Sequence, residues 1–439
     1  MLKQKLEKIL EYGIYFWIFL LPWQVRYFYE AKIRGGAWEA GNISIYASEI
    51  VLLILLVINF ILWTAKKTSG KNWFKHIDIT KFILWLIIFV IFAFLSAGWS
   101  IFPALSVYYG LKLFLGLGIV WLLSTNKLSV NKLATIIVAS GMIQGILAIG
   151  QFLNQLVWGS KWLGMAGQDP QNLGVSVVDT GFRRWLRAYG SFPHPNILGG
   201  YLVLTLGFAW WLFQQAETIW LKAKNRQIQI YEITLSFSII IIVSGILLSF
   251  SRVAWLATGL LFLITLLQLI FKKAFISAKT FSIVFLLTIL TTGLWVGIYS
   301  EPFITRIKAS ERLEQLSFTQ RIDSYEDAWL SFKQHPWLGT GLGVYTYSLH
   351  EQYPKRYVWE LQPPHNTFLL VMAELGIVGL VLLLIIFFLF TKSIFYQPQA
   401  LSIFSLLIFL MLFDHWWWSL SLGIYLLLLF SGIFLYKKE

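Results

Sequence analysis

The sequence Pro363-Pro364-His365-Asn366 leads directly into an apolar run that extends from Thr367 to about Phe390. Proline restricts the backbone, and asparagine is favourable at a helix start because its side chain accepts hydrogen bonds from free N–H groups of the first turn. The sequence therefore predicts a membrane helix that begins near 366, with His365 held at its end. An imidazole in such a fixed position can take a proton from a substrate hydroxyl, so His365 is a candidate general base. The alternative is that His365 and Asn366 only cap the helix.

Apolar residues dominate the whole chain. Of its 439 residues, 58% are hydrophobic and 13% are charged, and the mean hydropathy is +0.69. Apolar runs of spanning length recur from one end to the other, which is typical of a polytopic membrane protein and excludes a soluble domain. The absence of cysteine excludes a disulfide scaffold and a thiolate metal site. In a membrane protein the net charge of +14 has to be divided between the two sides of the membrane before it can be interpreted. We therefore expect no nucleic-acid partner.

The fold class predicted from these runs is an all-α polytopic membrane protein with about twelve transmembrane helices. Nine helices fall within residues 1–299 and three within 366–439, and a polar, partly helical loop, 300–365, separates the two groups. The predicted spans are 12–29, 47–65, 80–98, 102–124, 133–158, 195–214, 234–251, 253–271, 280–299, 366–391, 400–414 and 418–436.

Lysine and arginine are sorted between the two sides of this predicted membrane protein. Lysine dominates alternate short loops, such as 66–80, and the positive-inside rule places these loops and both termini in the cytoplasm. Arginine predominates on the other side, which includes the long loop 300–365. The planar guanidinium binds phosphate and carboxylate with two hydrogen bonds, so the arginine-rich face indicates an anionic ligand. The alternative is pairing with acidic residues of the same loops.

Arg321 lies in a stretch, 317–336, that reads as an amphipathic helix ended by a proline. At 100° per residue Arg321 shares the apolar face with Tyr325, Ala328, Trp329 and Phe332, whereas Asp323, Asp327 and Gln334 lie opposite. Burial of an unpaired guanidinium is costly, so this face is expected to cover a site for an anion. A salt bridge to another loop is the alternative.

Arg252 follows Ser251 at the tip between two apolar helices. A cation held at the bilayer surface is well placed to bind the phosphate of a lipid-linked substrate. The alternative is that its side chain extends to lipid headgroups.

Two further stretches on the arginine-rich side supply candidate binding residues. The first, 183–196, brings three arginines and a His-Pro-Asn sequence to the start of a helix. The second, 339–343, contains glycines that allow close backbone approach to a ligand. The candidate binding residues are Arg183, Arg184, Arg187, His194, Asn196, Gly341 and Gly343.

Several of these motifs together resemble the O-antigen ligase and polymerase superfamily of bacterial envelope glycosyltransferases. The resemblance is carried by Ser251-Arg252, by Arg321 with the later sequence His335-Pro336-Trp337-Leu338-Gly339-Thr340-Gly341-Leu342-Gly343, and by Pro364-His365-Asn366 with Glu374-Leu375-Gly376-Ile377-Val378-Gly379. It covers the twelve-helix plan and is strongest from about 190 to 390.

The resemblance implies a GT-C type fold in the bacterial inner membrane. The implied donor is a glycan linked to undecaprenyl pyrophosphate, and transfer to a lipid or glycan acceptor is implied on the periplasmic side. Arg252 and Arg321 are implied to contact the pyrophosphate and His365 to act as the base, and Asp414 matches a further acidic position. Asn366 is expected at the same site, next to the base.

We expect inversion at the anomeric carbon, without a cofactor or metal. Pyrophosphate leaves readily once its charge is neutralised, and the arginine-bearing loops offer no pair of buried acids for a retaining mechanism. The first loop of the arginine-rich side, 30–46, has two glutamates but no aspartate, so no metal site is predicted there. The alternatives within the superfamily are a polysaccharide polymerase and a protein O-oligosaccharyltransferase. A more distant one is a transporter of small anions such as bicarbonate, which should show midplane charges and related halves.

Overall fold

The computed structural model describes residues 2–30, 42–66, 77–223, 226–271, 278–309, 311–357 and 360–436. The helices are α1 Leu2–Leu20, α2 Ala47–Lys66, α3 Ile77–Leu95, α4 Pro103–Thr125, α5 Val130–Asn154, α6 Pro195–Ala223, α7 Arg226–Leu248, α8 Arg252–Ile270, α9 Ala278–Ile298, α10 Ser300–Lys308, α11 Arg312–Gln334, α12 Tyr345–Gln352, α13 Thr367–Ile394, α14 Pro398–Phe413, α15 Trp416–Ser419 and α16 Ser421–Tyr436. The strands are β1 Arg26–Glu30, β2 Ile43–Tyr46, β3 Val177–Asp179 and β4 Arg184–Leu186.

Membrane-spanning helices form most of this architecture. Within the described ranges nine helices, α2 to α9 and α13, are at least 18 residues long and apolar enough to cross a bilayer. Two shorter apolar helices, α14 and α16, follow them. The all-α polytopic class is therefore confirmed, and the total of twelve spans stays a prediction. Parts of the predicted lysine-rich loop 66–80 and of the loop 30–46 lie outside the described residues.

The position predicted for the first helix is wrong. Helix α1 ends at Leu20, and β1 occupies part of the predicted span 12–29. Pro22 lacks an N–H group and cannot continue the helix, and the residues after it pair antiparallel with β2, for example Tyr27 with Ile45. The aromatic residues of β1 raised the apparent hydropathy of a segment that is a strand.

Helix α6 lies at the centre of the bundle. Of the window of α6 that could span the membrane, 94% is buried inside the protein, against 17% for α9 at the periphery. Side chains on all sides of α6, such as Leu202, Phe208 and Trp211, are buried, as expected for a helix surrounded by other helices. Helices α5, α7, α8 and α14 pack against it.

One end of the bundle carries most of the polar chain, and we call it the loop face. It consists of residues 155–194, which include the hairpin β3–β4, residues 299–366, which include α10 to α12, and residues 414–420, which include α15. The β3–β4 pairing joins Val177 to Leu186 and Asp179 to Arg184. The three segments come from distant parts of the sequence and meet above α6 and α13.

Helix α13 is interrupted at Gly376, which has φ 65° and ψ −168°. The backbone of residues 336–341, the inserted segment, enters the break and takes over the missing hydrogen bonds. The N–H of Ile377 donates to the carbonyl of Pro336 at 2.9 Å, and the N–H of Gly341 donates to the carbonyl of Glu374 at 2.8 Å. A Cβ atom on Gly376 would lie 2.2 Å from the Trp337 carbonyl oxygen, so only glycine fits there.

Candidate functional site

A cavity of about 710 Å³ lies where the three segments of the loop face meet. Its lining takes in residues from 173–197, 306–321, 343–374 and 414–420. Eight of the residues predicted from the sequence as site residues line it: Arg184, Arg187, His194, Asn196, Arg321, Gly343, His365 and Asp414. The structure therefore brings together side chains that are up to about 230 positions apart in the sequence.

Four other predicted site residues do not line this cavity: Arg183, Arg252, Gly341 and Asn366. The guanidinium of Arg183 stacks on the ring of Trp185, 4.1 Å from its centre. The close approach at Gly341 is to Ser100, whose Cβ would lie 2.7 Å from a Cβ at this position. The glycine at 341 therefore serves backbone packing rather than contact with a ligand.

His365 is held from two sides. Asn366 caps α13, because its side-chain oxygen accepts a hydrogen bond from the Leu369 N–H at 2.9 Å, as predicted from the sequence. The Tyr325 hydroxyl of α11 donates to the backbone carbonyl of His365 at 2.8 Å. The Nδ1 atom of His365 lies 3.6 Å from Oδ1 of Asp414, slightly beyond a normal hydrogen bond. A small rotation of either side chain would close this contact.

Asp414 follows α14 and is buried at the cavity wall. Its backbone carbonyl accepts a hydrogen bond from the Thr367 hydroxyl at 2.7 Å, which joins it to the start of α13. Burial raises the pKa of Asp414, but the neighbouring His365 outweighs burial and holds the pKa well below its usual value. The carboxylate is therefore ionised at neutral pH. It can orient the imidazole of His365 and stabilise its protonated form.

Two further histidines at the cavity are neutral at pH 7. Burial, and then the charge of Arg187, lowers the pKa of His194 to about 3. Its Nδ1 atom accepts a hydrogen bond from the Asn196 N–H at 3.1 Å, so Nε2 carries the hydrogen and donates to the Ser176 hydroxyl at 3.2 Å. Burial lowers the pKa of His415 to about 4. Both nitrogens of His194 are thus engaged, so His194 has no free basic nitrogen for a general base. Nδ1 of His415 lies 2.8 Å from the Ser419 hydroxyl.

Two buried arginines line the cavity beside the turn between α7 and α8. Phe250 in this turn has the left-handed backbone conformation, with φ 49°. Nε of Arg187 donates to the Ser249 carbonyl at 2.9 Å, and Nε of Arg306 donates to the Phe250 carbonyl at the same distance. Arg187 also donates to Oδ1 of Asn196 at 2.6 Å. These neutral acceptors fix the two guanidinium groups while leaving the charge of Arg187 without a direct anionic partner among the described residues.

Arg306 was not singled out by the sequence analysis. It is buried together with Pro302 and Phe303 on one face of α10. This pattern, a cation on the apolar face of a short helix, is the signal that was used for Arg321, and it could have identified Arg306. Because Arg306 lies far from the other motifs in the sequence, its place at the same site was not predicted.

Glu314 binds two of the arginines. Both of its carboxylate oxygens lie 2.5 Å from Nη1 of Arg306, and Oε2 lies 3.2 Å from Nη2 of Arg252. The guanidinium of Arg252 also lies 4.5 Å from the ring centre of Phe318. Arg252 therefore reaches the site through Glu314, which lines the cavity, rather than directly.

The orientation predicted for the Arg321 helix is partly wrong. Helix α11 ends at Gln334, before the proline, as predicted, and Arg321 lines the cavity. Asp327, however, is buried and pairs with Arg356 at 2.7 Å, whereas Trp329 is exposed. The buried face is centred on Ser324 and the neighbouring small residues because the helix packs closely on α13 there.

Glu374, at the break in α13, forms part of the cavity wall. Its carboxylate accepts a hydrogen bond from Trp418 Nε1 at 2.8 Å and further hydrogen bonds from the backbone N–H groups of Gly343 and Tyr345. Glu374 therefore connects α13 with Gly343 and Tyr345, which follow the inserted segment, and with α15. In the sequence Glu374 belongs to the motif Glu374-Leu375-Gly376-Ile377-Val378-Gly379, and this connecting role was not predicted.

A group of possible metal ligands also lies at the cavity. Each of three residues, His365, Asp414 and His415, offers one possible ligand atom. These three atoms all lie within 4.8 Å of one another. Imidazole and carboxylate are suitable ligands for a divalent cation such as Zn²⁺. The sequence argument against a metal considered the loop 30–46 and did not anticipate this cluster, so chelation needs a direct test.

Comparison with protein families gives one match. Residues 237–384 match the family model described as O-antigen ligase. The matched region contains Arg252, the cavity residues Arg306, Glu314, Arg321 and His365, and the break in α13, whereas the cavity residues of 173–197 and 414–420 lie outside it. A search of curated proteins gave no match. Over residues 237–384 the chain is thus similar to the O-antigen ligase family, which confirms its resemblance to the O-antigen ligase and polymerase superfamily.

Proposed function

We propose that this protein is an O-antigen ligase-like glycosyltransferase. It moves a glycan from undecaprenyl pyrophosphate to an acceptor hydroxyl, such as one on a lipid A–core sugar, at the periplasmic face of the bacterial inner membrane. The observation that supports this proposal most strongly is that one cavity has arginines on one wall and the pair His365–Asp414 on another. The family match supports a ligase or polymerase type of activity.

The arginines provide the binding site for the donor's pyrophosphate. Arg187, Arg306 and Arg321 all line the cavity, whereas Arg252 lies behind Glu314. Pyrophosphate becomes a better leaving group when cations neutralise the charge that develops on it as the glycosidic bond breaks. Arg306 therefore takes the direct role that the resemblance implied for Arg252, and Arg252 supports it through the shared carboxylate.

His365 acts on the acceptor. With its Nδ1–H turned towards Asp414, Nε2 is the basic nitrogen that takes the proton of the attacking hydroxyl. The oxygen forms the new glycosidic bond as the bond to pyrophosphate breaks, and the proton stays on His365. Direct displacement of this kind inverts the configuration at the anomeric carbon. Asp414 stabilises the resulting imidazolium and needs no proton of its own.

The test uses purified protein, a lipid-linked glycan donor and a lipid A–core acceptor. We expect His365→Ala and His365→Gln to lower turnover by roughly 10²–10⁴-fold with donor affinity nearly unchanged, because a general base acts only as the bond forms. His335→Gln, at an exposed histidine of the same loop, is the control and should retain turnover. An active His365→Gln variant would show that residue 365 only caps α13.

A chelator separates the cation-only mechanism from a metal-dependent one. We expect transfer to continue in excess EDTA, because guanidinium groups supply the positive charge at the leaving group. Loss of transfer in EDTA, with recovery on addition of Mg²⁺, Mn²⁺ or Zn²⁺, would instead assign His365, Asp414 and His415 as metal ligands.

A further inference from the structure

Glu314 is positioned where a bound anion would interact with the arginines. Its side chain is 3% exposed, and both of its oxygens bind Arg306. Both oxygens lie on the one nitrogen Nη1, and a guanidinium that binds a carboxylate can bind a phosphate in its place. Since Glu314 and Arg306 both line the cavity, an anion that reaches Arg306 meets the carboxylate of Glu314 as well.

The positive charge around this carboxylate exceeds what one acid can neutralise. Arg252 and Arg306 pair with it, and the buried Arg187 interacts electrostatically with Arg306, Glu314 and Arg321. Burial, and then the charge of Arg306, lowers the pKa of Arg187, so the arginines repel one another. An additional anion is the simplest means of relieving this repulsion.

The place of Glu314 in α11 allows it to move. It lies in the first turn of the helix, which begins at Arg312, and the preceding helix α10 ends at Lys308, followed by Ala309 in the left-handed conformation with φ 52°. Terminal turns of helices open at a lower free-energy cost than central turns. The carboxylate can therefore leave the arginines without disruption of the buried centre of α11.

We propose that Glu314 is an internal counter-ion that the pyrophosphate group of the donor displaces from Arg306 and Arg252. The proposal rests on the proposed function, because it identifies what the donor replaces when it binds. Displacement sets the affinity for the donor and favours a multiply charged anion, since a single negative charge gains little by replacing another. Glu314 is thus a specificity-determining residue, and its removal should strengthen anion binding.

The experiment measures binding of inorganic pyrophosphate to the purified full-length protein by calorimetry. Glu314→Gln should bind pyrophosphate on the order of tenfold more tightly than the parent, because the competing carboxylate and its repulsion are gone. Without pyrophosphate this variant should melt at a lower temperature, since Arg306 has lost its partner, and pyrophosphate should restore more of its melting temperature than in the parent.

The matched control is Asp327→Asn, which removes the carboxylate of another ion pair of α11, in which Asp327 is buried and Arg356 is partly exposed. This variant should also lose stability but bind pyrophosphate as the parent does, because Asp327 does not line the cavity. If Glu314→Gln fails to fold, Glu314→Asp shortens the side chain by one carbon atom and should strengthen pyrophosphate binding by a smaller factor.

Equal or weaker pyrophosphate binding by the folded Glu314→Gln variant would overturn the proposal, and so would equal or weaker binding by Glu314→Asp where that variant is used. The result is distinct from a failure of the proposed function. If the Glu314 variant binds pyrophosphate more tightly but the parent transfers no glycan, the displacement of Glu314 is supported and the transferase function is rejected. If the parent transfers glycan but the variant has unchanged pyrophosphate affinity, the transferase function is supported and the displacement is rejected.

Discussion

Arg321 is the cavity arginine at which replacement by lysine is most informative, because none of the acidic residues that the structure describes forms an ion pair with it. Arg321→Lys keeps the charge, but a single ammonium group cannot form the two parallel hydrogen bonds of a guanidinium on a phosphate. We expect this variant to lose most transfer activity, by about 10- to 100-fold in kcat/KM, with weaker donor binding. Steady-state kinetics with the lipid-linked donor is the measurement.

The control for Arg321→Lys lies twelve residues along the same helix. Lys333 is exposed and outside the cavity, and Lys333→Ala should retain the kinetics of the parent. Full activity of Arg321→Lys would show that residue 321 supplies only a positive charge, and the proposed contact with pyrophosphate would then be wrong.

His194 makes folding stability depend on pH. Its pKa is lowered to about 3 in the folded protein, from an ordinary value of 6.5. Between these pH values the unfolded chain binds a proton that the folded chain does not, so the free energy of unfolding falls as the pH drops below 6.5, by about 1.4 kcal/mol per pH unit. His194→Asn should therefore lose less melting temperature than the parent between pH 7 and pH 5.

Asparagine is the suitable replacement at 194 because its oxygen can still accept the hydrogen bond from the Asn196 N–H. His335→Asn, at an exposed histidine, serves as the control and should melt with the pH dependence of the parent. Identical pH dependence of the melting temperature in parent and His194→Asn would contradict the burial of a neutral histidine at this position.

Single residues could be predicted from the sequence where the signal is local. The cap at Asn366 and the helix after it follow from a few adjacent residues, and the structure confirms both. The pairing of Glu314 with Arg306 and Arg252 could not be predicted, because it depends on how α8, α10 and α11 meet. An arginine-rich face indicates an anion, but the sequence does not say which arginines reach it.

At the level of elements, the break in α13 is the feature most open to mutation. Gly376→Ala places a Cβ atom 2.2 Å from the Trp337 carbonyl oxygen, in a backbone region that only glycine adopts readily. We expect this strain to reduce stability by at least about 1–3 kcal/mol. We also expect a large loss of activity, because Glu374 forms part of the cavity wall and the inserted segment supports it. Melting temperature and transfer rate are the measurements.

A matched glycine in another membrane helix provides the control. A Cβ atom on Gly293 of α9 would have no other atom within 4 Å, so Gly293→Ala should be neutral or slightly stabilising, by up to about 1 kcal/mol. If Gly376→Ala behaves in the same way, α13 tolerates a continuous helix at this point and the break has no part in shaping the cavity.

Hydropathy predicted α13 almost to the residue but gave no indication of its break. The run around Gly376 is apolar except for Glu374, and the hydrogen-bond partners that permit the break lie about 35 residues earlier, in the inserted segment. The same reasoning failed at α1, where an aromatic strand raised the hydropathy of a non-helical stretch. Hydropathy averages over a window and therefore identifies membrane segments better than interruptions in them.

For the molecule as a whole, the orientation in the membrane is a prediction that cysteine labelling can test. The chain contains no cysteine, so single cysteines can be introduced without a background signal. Positions in 300–364 should react with a membrane-impermeant reagent in intact cells, and positions in 66–80 only after the cells are opened, because lysine-rich loops stay in the cytoplasm. Mass shift of the labelled protein is the measurement.

Labelling of both segments from the same side would reject this topology and, with it, the predicted placement of the cavity residues. The control is a cysteine in the middle of a lipid-facing helix, such as at Leu290 of α9, which should react poorly under both conditions.

The transporter alternative relied on charged residues within the membrane. Lys112, in the middle of α4, is such a residue, but it pairs with Glu49 at 2.5 Å, and Tyr425 donates a further hydrogen bond to Glu49 at 2.7 Å. This closed pair gives Lys112 a role in holding α2, α4 and α16 together. Composition predicted the membrane class, whereas such pairs, and the cavity itself, arise only when distant helices pack.

The contacts between α13 and the inserted segment also impose an order of assembly. Residues 336–341 leave the ribosome before α13 does, so the N–H groups of Thr340 and Gly341 have no helix carbonyls to bind until α13 has been made. Unpaired backbone groups are costly in lipid, and docking must therefore follow the insertion of α13 into the bilayer. A chain interrupted shortly before residue 377 would already carry α2 to α9 as membrane anchors, yet it would lack the wall of its cavity. Catalytic competence is thus acquired late in biogenesis, after membrane integration is nearly complete.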